Sequence, residues 1–454
     1  MGASKPGQLP LSTRLGYGLG DLGFNLYFTT ASLYLLLYYT DILGLPPATG
    51  GWIFAAALVW DAITDPVMGY IASRTRTRWG RYRPYLLWGA VPLAASWMLI
   101  FVPTGFSGSA LTLYALATHM LFRTLYTVVS MPYLSLSAVM TPSSDERGVL
   151  ASFRMIAATG GGLLIAFFSL KLVNAFGGGD QMAGFLMVAI LFGAIATLLH
   201  WLAFATTREQ IDAGEEAKPS ASEMFAMLRS NRAFWLVAGC MLMGAMASTF
   251  FGKAIPYFFK YAVGREDLIG PALATVTGSA MLSIPMWTAV MRQRSKRLVS
   301  LSGTVLGIIA YALFFVIPTA ATSGLIAALV LAGFGAGAGY LTFWAMMPDC
   351  VEYGEWRSGV RAEGMIFGFV SFIQKAALGL GVGLLGEVLA RIGYVANQPQ
   401  TPDTLTNLRL MMLIAPITFG ALAATSISFY PIDRALHARL VRGLSRRRRA
   451  SGTG

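Results

Sequence analysis

"WDAITDPVMGYIASRTRTRWGRYRP", residues 60–84, is the stretch that decides the class of fold. Asp61 and Asp65 stand inside a run that is otherwise apolar enough for lipid, and Arg74, Arg76, Arg78, Arg81 and Arg83 follow directly after it. An ionised side chain at the centre of a bilayer costs about 2.5–3.5 kcal/mol on insertion scales, so two acids in one span need a reason. The arginines have a simpler one: short basic loops stay on the cytoplasmic side of a membrane.

The same alternation of apolar run and polar loop extends from this stretch in both directions. Hydrophobic residues make up 56 % of the 454-residue chain and charged residues 12 %, with a mean hydropathy of +0.61. Soluble domains carry about 25 % charged residues, so the composition excludes that class. Twelve apolar runs of membrane-crossing length are legible, over 22–40, 50–72, 84–103, 110–139, 149–173, 182–205, 233–260, 269–291, 299–318, 323–347, 364–391 and 407–430. The eighth is the weakest, because Pro285 interrupts it. "MGASKPGQLPLSTRLGYG" at the start lacks the short apolar core and cleavage site of a signal peptide, so the first span is expected to act as the insertion signal. Cys240 and Cys350 fall in or beside apolar runs and are read as small core residues, not as a disulfide framework.

The net charge of +13 is distributed by loop. Besides the arginines after span two, Arg292, Arg294, Lys296 and Arg297 follow span eight, and Arg439, Arg442 and Arg446 to Arg449 follow span twelve. The alternate loops, such as "PTGFSGSA" and "VNAFGGGDQMAG", are nearly uncharged. This asymmetry places the basic loops and both termini in the cytoplasm, in a plasma (inner) membrane, and argues against nucleic acid as the partner of the positive charge.

The longest polar interior segment, "TTREQIDAGEEAKPSASEMFAMLRSNRAF" (206–234), lies between spans six and seven. It divides the chain into a first six-helix bundle over 1–205, a cytoplasmic linker over 206–232, a second six-helix bundle over 233–430 and a basic tail over 431–454. The most arginine-rich interior loop follows the second span of each half, a weak internal symmetry of the kind transporters carry. Twelve spans in two sixes resemble the major facilitator superfamily: all-α, integral to the membrane, with substrate bound near the midplane and access alternating between its two sides.

Ionisable residues within the spans are few: the acids Asp21, Asp61, Asp65 and Glu387, and the bases Arg123, Arg154, Lys253 and Lys375. Asp61 and Asp65 are four residues apart, about 6 Å of rise along one helix face. Two carboxylates that close repel, and a proton or a cation such as Na⁺ between them relieves the repulsion. The competing reading is structural, one acid neutralising an arginine such as Arg123. Tyr126, Thr127 and Ser130 fall within about one helical turn of each other and could complete a cation shell, bond a sugar or simply join helices. His119 reads as a packed or pore-lining polar residue. Lys375 lies too deep in span eleven to snorkel to an interface, so it is expected to face a central cavity with Arg154, Asn25 and Asp21.

Three segments carry a more specific likeness. "GYGLGDLGFN" (16–25), the opening stretch, and "MPDCVEYGEWRSGVRAEGMIFGF" (347–369) resemble the glycoside–pentoside–hexuronide:cation symporters, the group that includes the melibiose carrier. The resemblance runs the length of the chain. It implies that Asp61 and Asp65 bind the coupling cation, that Lys375 and Arg154 are functional bases, with Arg154 near the sugar, and that Tyr126 and Thr127 are the aromatic and hydroxyl pair of span four. Melibiose carriers have a sugar-binding aspartate where this chain has Asn25 and a further cation-site acid where it has Ser130. Asn25 still offers a donor and an acceptor to a hydroxyl. Ser130 removes a negative ligand, which weakens Na⁺ more than it weakens a proton on one acid, so H⁺ is favoured over Na⁺. The segment holding Asp349, Glu352, Glu355, Arg357, Arg361 and Glu363 reads either as a solvated charged loop or, by the resemblance, as a gate between halves.

The expected function is therefore symport of a sugar, glycoside or glycuronide with H⁺ or Na⁺, by a protein working as a monomer among membrane lipids. Transport of an amphipathic or lipid-like solute is the alternative. No metal-ligand cluster and no nucleotide loop point to an enzyme or to a resident cofactor.

Overall fold

In a computed structural model of the protein, residues 9–141, 144–210, 221–359 and 363–450 are described, and among them there is no β-strand. The helices are α1 (Leu11–Leu37), α2 (Pro47–Arg74), α3 (Arg83–Trp88), α4 (Ala90–Leu99), α5 (Gly108–Met140), α6 (Ser144–Gly177), α7 (Gln181–Thr206) and α8 (Ala221–Ser230). They continue as α9 (Arg232–Tyr257), α10 (Ile269–Gln293), α11 (Lys296–Val316), α12 (Thr322–Ser358), α13 (Glu363–Arg391), α14 (Pro402–Ser428) and α15 (Arg434–Ala450). Nine of them, among the described residues, are long and apolar enough to cross a membrane. The three remaining expected spans correspond to α1, α5 and the α3–α4 pair, which Gly89 divides. α1 and α5 fall short in apolarity because they carry many of the polar side chains described below.

Helix starts follow ordinary capping chemistry. The side chains of Asp180, Asn231, Ser295 and Thr401 each accept a backbone N–H from the first turn of α7, α9, α11 and α14. Large apolar side chains such as Leu113, Leu198, Leu282 and Val316 are exposed, which suits a chain whose surroundings are lipid.

The chain forms two compact units. One comprises residues up to Glu215 together with Val382–Gln398; the other comprises Glu216–Gly381 and Pro399–Gly454. In the first, α1 packs on α6 and α7, and α2 packs on α5. Gly18 allows the first of these approaches, since any side chain there would meet the backbone of Phe153. In the second unit, α12 is flanked by α10 and α11, and α14 lies on α9 and α11. Its core includes Leu228, Phe234, Met347, Val351, Val370 and Leu440.

Three sequence expectations are corrected. Span one begins at Leu11, well before residue 22, because glycines spaced along "GYGLGDLG" let an only moderately apolar segment pack closely as helix. Pro285 does not interrupt α10, which runs through it; an apolar environment penalises a broken helix more than one missing N–H. The acidic segment beginning at Asp349 is no loop: α12 continues through Glu352, Glu355 and Arg357 to Ser358, where Gly359 takes the left-handed conformation and ends it.

Candidate functional site

The first unit brings Asp61 and Asp65 together with one face of α5. His119, Arg123 and Thr127 recur every four residues on α5, so their side chains line a single stripe. The Thr127 hydroxyl lies 2.7 Å from Asp61 Oδ1 and 2.9 Å from Asp65 Oδ1. Arg123 Nη1 stands 3.9 Å from Asp61 Oδ2, with both side chains fully buried. Trp60 Nε1 donates to Thr124 Oγ1 at 2.8 Å, and Thr64 Oγ1 lies 3.5 Å from Thr127 Oγ1, so α2 and α5 are joined by hydrogen bonds along two turns. Ser130, one turn further on, is buried and its hydroxyl makes no hydrogen bond among the described residues.

A threonine hydroxyl has one proton to donate and can otherwise only accept. With carboxylate oxygens at 2.7 and 2.9 Å, its one proton serves the two acids between them.

A second cluster lies in the same unit on α1, α5 and α6. Arg154 directs Nη2 and Nε at one oxygen of Asp21, at 3.2 and 3.3 Å. Asn25, one turn along α1, donates from Nδ2 to the Asp21 carbonyl at 2.9 Å, and Thr29 Oγ1 lies 3.4 Å from Asn25 Oδ1. The guanidinium of Arg154 sits 5.5 Å from the ring centre of Tyr133 and 6.0 Å from that of Tyr17. Tyr126 meets Phe24 edge-on, at 5.5 Å between ring centres. A charged fork, an amide and aromatic rings in one place suit a hydroxyl-rich solute.

The second unit holds Lys375, half-buried on α13, and the charged end of α12. There Lys296 Nζ contacts both oxygens of Asp349 at 2.8 Å, and the Tyr430 hydroxyl donates to Asp349 at 3.3 Å. His437 Nε2 lies 3.0 Å from Glu352 and 3.5 Å from Asp349. Arg357 lies 3.5 Å from the Tyr353 hydroxyl, and Glu355 is half-buried. Arg361 lies outside the described residues. Among the described residues no group of three or more His, Cys, Asp or Glu is placed to hold a metal ion.

The profile of the MFS/sugar transport proteins matches residues 16–434. The chain belongs to this family. Within it, the chain falls with the glycoside–pentoside–hexuronide symporters of the major facilitator superfamily, as its first, second and tenth-span segments led one to expect. It is 32 % identical to the glucuronide carrier protein homolog of Escherichia coli, over 94 % of this chain and 93 % of that protein. It is 31 % identical to the isoprimeverose transporter of Lactiplantibacillus pentosus, over 94 % and 90 %. The nucleoside transporter NupG shares the fold, with a TM-score of 0.66 at 15 % identity over 93 % of this chain and 100 % of that one. This member of the MFS/sugar transport family is thus an integral membrane transporter and not an enzyme.

Sequence reasoning overlooked two features of the family member's polar network. The first is the alignment of His119 with Arg123 and Thr127, which their spacing of four could have revealed. The second is His437 beside Glu352, for which no local sequence signal exists, since 85 residues separate them.

Proposed function

We propose that the protein is a symporter that couples uptake of a glycoside or glycuronide to a cation, H⁺ in preference to Na⁺, by alternating access. One observation carries the reading: a single Thr127 hydroxyl faces two carboxylates at hydrogen-bonding distance, an arrangement that suits one shared positive charge. Asp61, Asp65 and Thr127 form the cation site in this reading, with Ser130 at its margin. Arg154, held by Asp21, together with Asn25, Tyr126 and, from its mid-span position, Lys375, recognise the substrate. The names of the glucuronide carrier homolog and the isoprimeverose transporter support a glycosidic solute. Glu352, Glu355, Arg357 and Arg361 are assigned to a cytoplasmic gate. The two six-helix halves, 1–205 and 233–430, are the moving bodies, and both termini are cytoplasmic, in the inner membrane of a functional monomer.

The test is Asp65→Asn, alone and with Asp61→Asn. Accumulation driven by an ion gradient should collapse, while exchange of labelled for unlabelled solute at equal concentrations should persist, because exchange needs no net ion movement. Accumulation at the wild-type level by the double variant would refute the coupling role.

A further inference from the structure

Arg123 is fully buried, its Nη1 and Nη2 make no hydrogen bond among the described residues, and nothing in transport of a neutral or anionic solute requires it beside the acids. Its position is nonetheless closely specified. Arg123 Nε donates to His119 Nε2 at 3.3 Å. Arginine has only donors, so that ring nitrogen must be the acceptor, and the ring proton lies on Nδ1, which donates to the Tyr39 hydroxyl at 3.2 Å. Tyr39 itself is fixed in the π-helical turn Tyr38–Ile42 at the end of α1. The rings of Phe28, Phe54 and Phe122 stand 5.7–6.0 Å from the guanidinium and offer it their π systems in place of water. The chain Tyr39–His119–Arg123 thus ends in a rigid positive charge 3.9 Å from Asp61 Oδ2.

We infer that Arg123 is a specificity-determining residue, a built-in counter-charge of Asp61 that keeps alkali cations out of the acid pair. The inference rests on the reading of Asp61 and Asp65 as the cation site. A metal cation touching Asp61 lies within roughly 4–6 Å of the guanidinium in a buried setting, where like charges repel strongly. It also needs several oxygens around it, and Arg123 brings none to the side of Asp61 it occupies.

The probe is Na⁺ itself, added as chloride against equal choline chloride while the thermal stability of the purified full-length protein is followed. Wild type should show no specific response. Arg123→Gln should acquire a saturable rise in Tm of about 1–2 °C at ten times the Na⁺ dissociation constant, and adding Asp65→Asn should abolish it. Arg123→Lys keeps the charge and should stay blind to Na⁺, which keeps the idea testable if the Gln variant does not fold. A Na⁺ response in wild type or in Arg123→Lys overturns the inference, as does a folded Arg123→Gln protein that is indifferent to Na⁺. If Asp65→Asn abolishes gradient-driven accumulation while Arg123→Gln gains no Na⁺ response, the coupling site stands and only the role of Arg123 falls.

Discussion

Thr127→Val removes the one hydroxyl between the two acids and leaves the shape of the side chain nearly unchanged. Thr127 is 1 % exposed, so no water replaces the lost group without rearrangement. A hydrogen bond to a charged group contributes about 1.5–3 kcal/mol, and at about 1.4 kcal/mol per decade this becomes a loss of about 10- to 150-fold in apparent affinity for the coupling ion. Because the hydroxyl has a single proton, the lower end applies if only one of the 2.7 and 2.9 Å contacts is a full hydrogen bond. The assay is uptake of an accepted glycoside into proteoliposomes, with the driving ion varied at fixed solute concentration. The concentration of ion giving half-maximal uptake should rise by that factor, equilibrium exchange at saturating ion should be nearly unchanged, and Thr127→Ser should restore wild-type behaviour. A folded Thr127→Val protein with the wild-type ion dependence would mean that the hydroxyl only ties α5 to α2.

Asp21→Asn unmasks Arg154 without removing it, so uptake of neutral glycosides should weaken by about 5- to 30-fold through loss of the oriented fork, while anionic glucuronides should suffer less; the ratio of the two uptakes in the same vesicles reports it. Lys296→Met leaves Asp349 buried beside Tyr430 and His437, and because Lys296 is itself one-third exposed the cost should be about 1–3 kcal/mol. A lowered Tm that recovers in the Lys296→Met/Asp349→Asn double variant is the expected result.

The sequence by itself determined the membrane class, the number of apolar runs and the pairing of Asp61 with Asp65, because these depend on composition and on the fixed helical repeat. Residues four apart share a face whatever surrounds them, and the same rule places His119, Arg123 and Thr127 in one stripe. It could not determine which stripes face each other. Rotation of α5 about its axis decides that Thr127, and not Ser130, lies between the acids, and that rotation is set by packing of α5 on α2, α3 and α4. Asp21 and Arg154 are 133 residues apart and meet because Gly18 lets α1 approach α6 closely. The helical extension of α12 past Asp349 was also hidden, since a charged segment reads as loop until Lys296, Tyr430 and His437 are seen to balance Asp349 and Glu352. Local periodicity is written in the chain because it follows from backbone geometry. The partner of each buried charge is a property of tertiary packing, where the cost of leaving it alone is settled by residues far away in sequence.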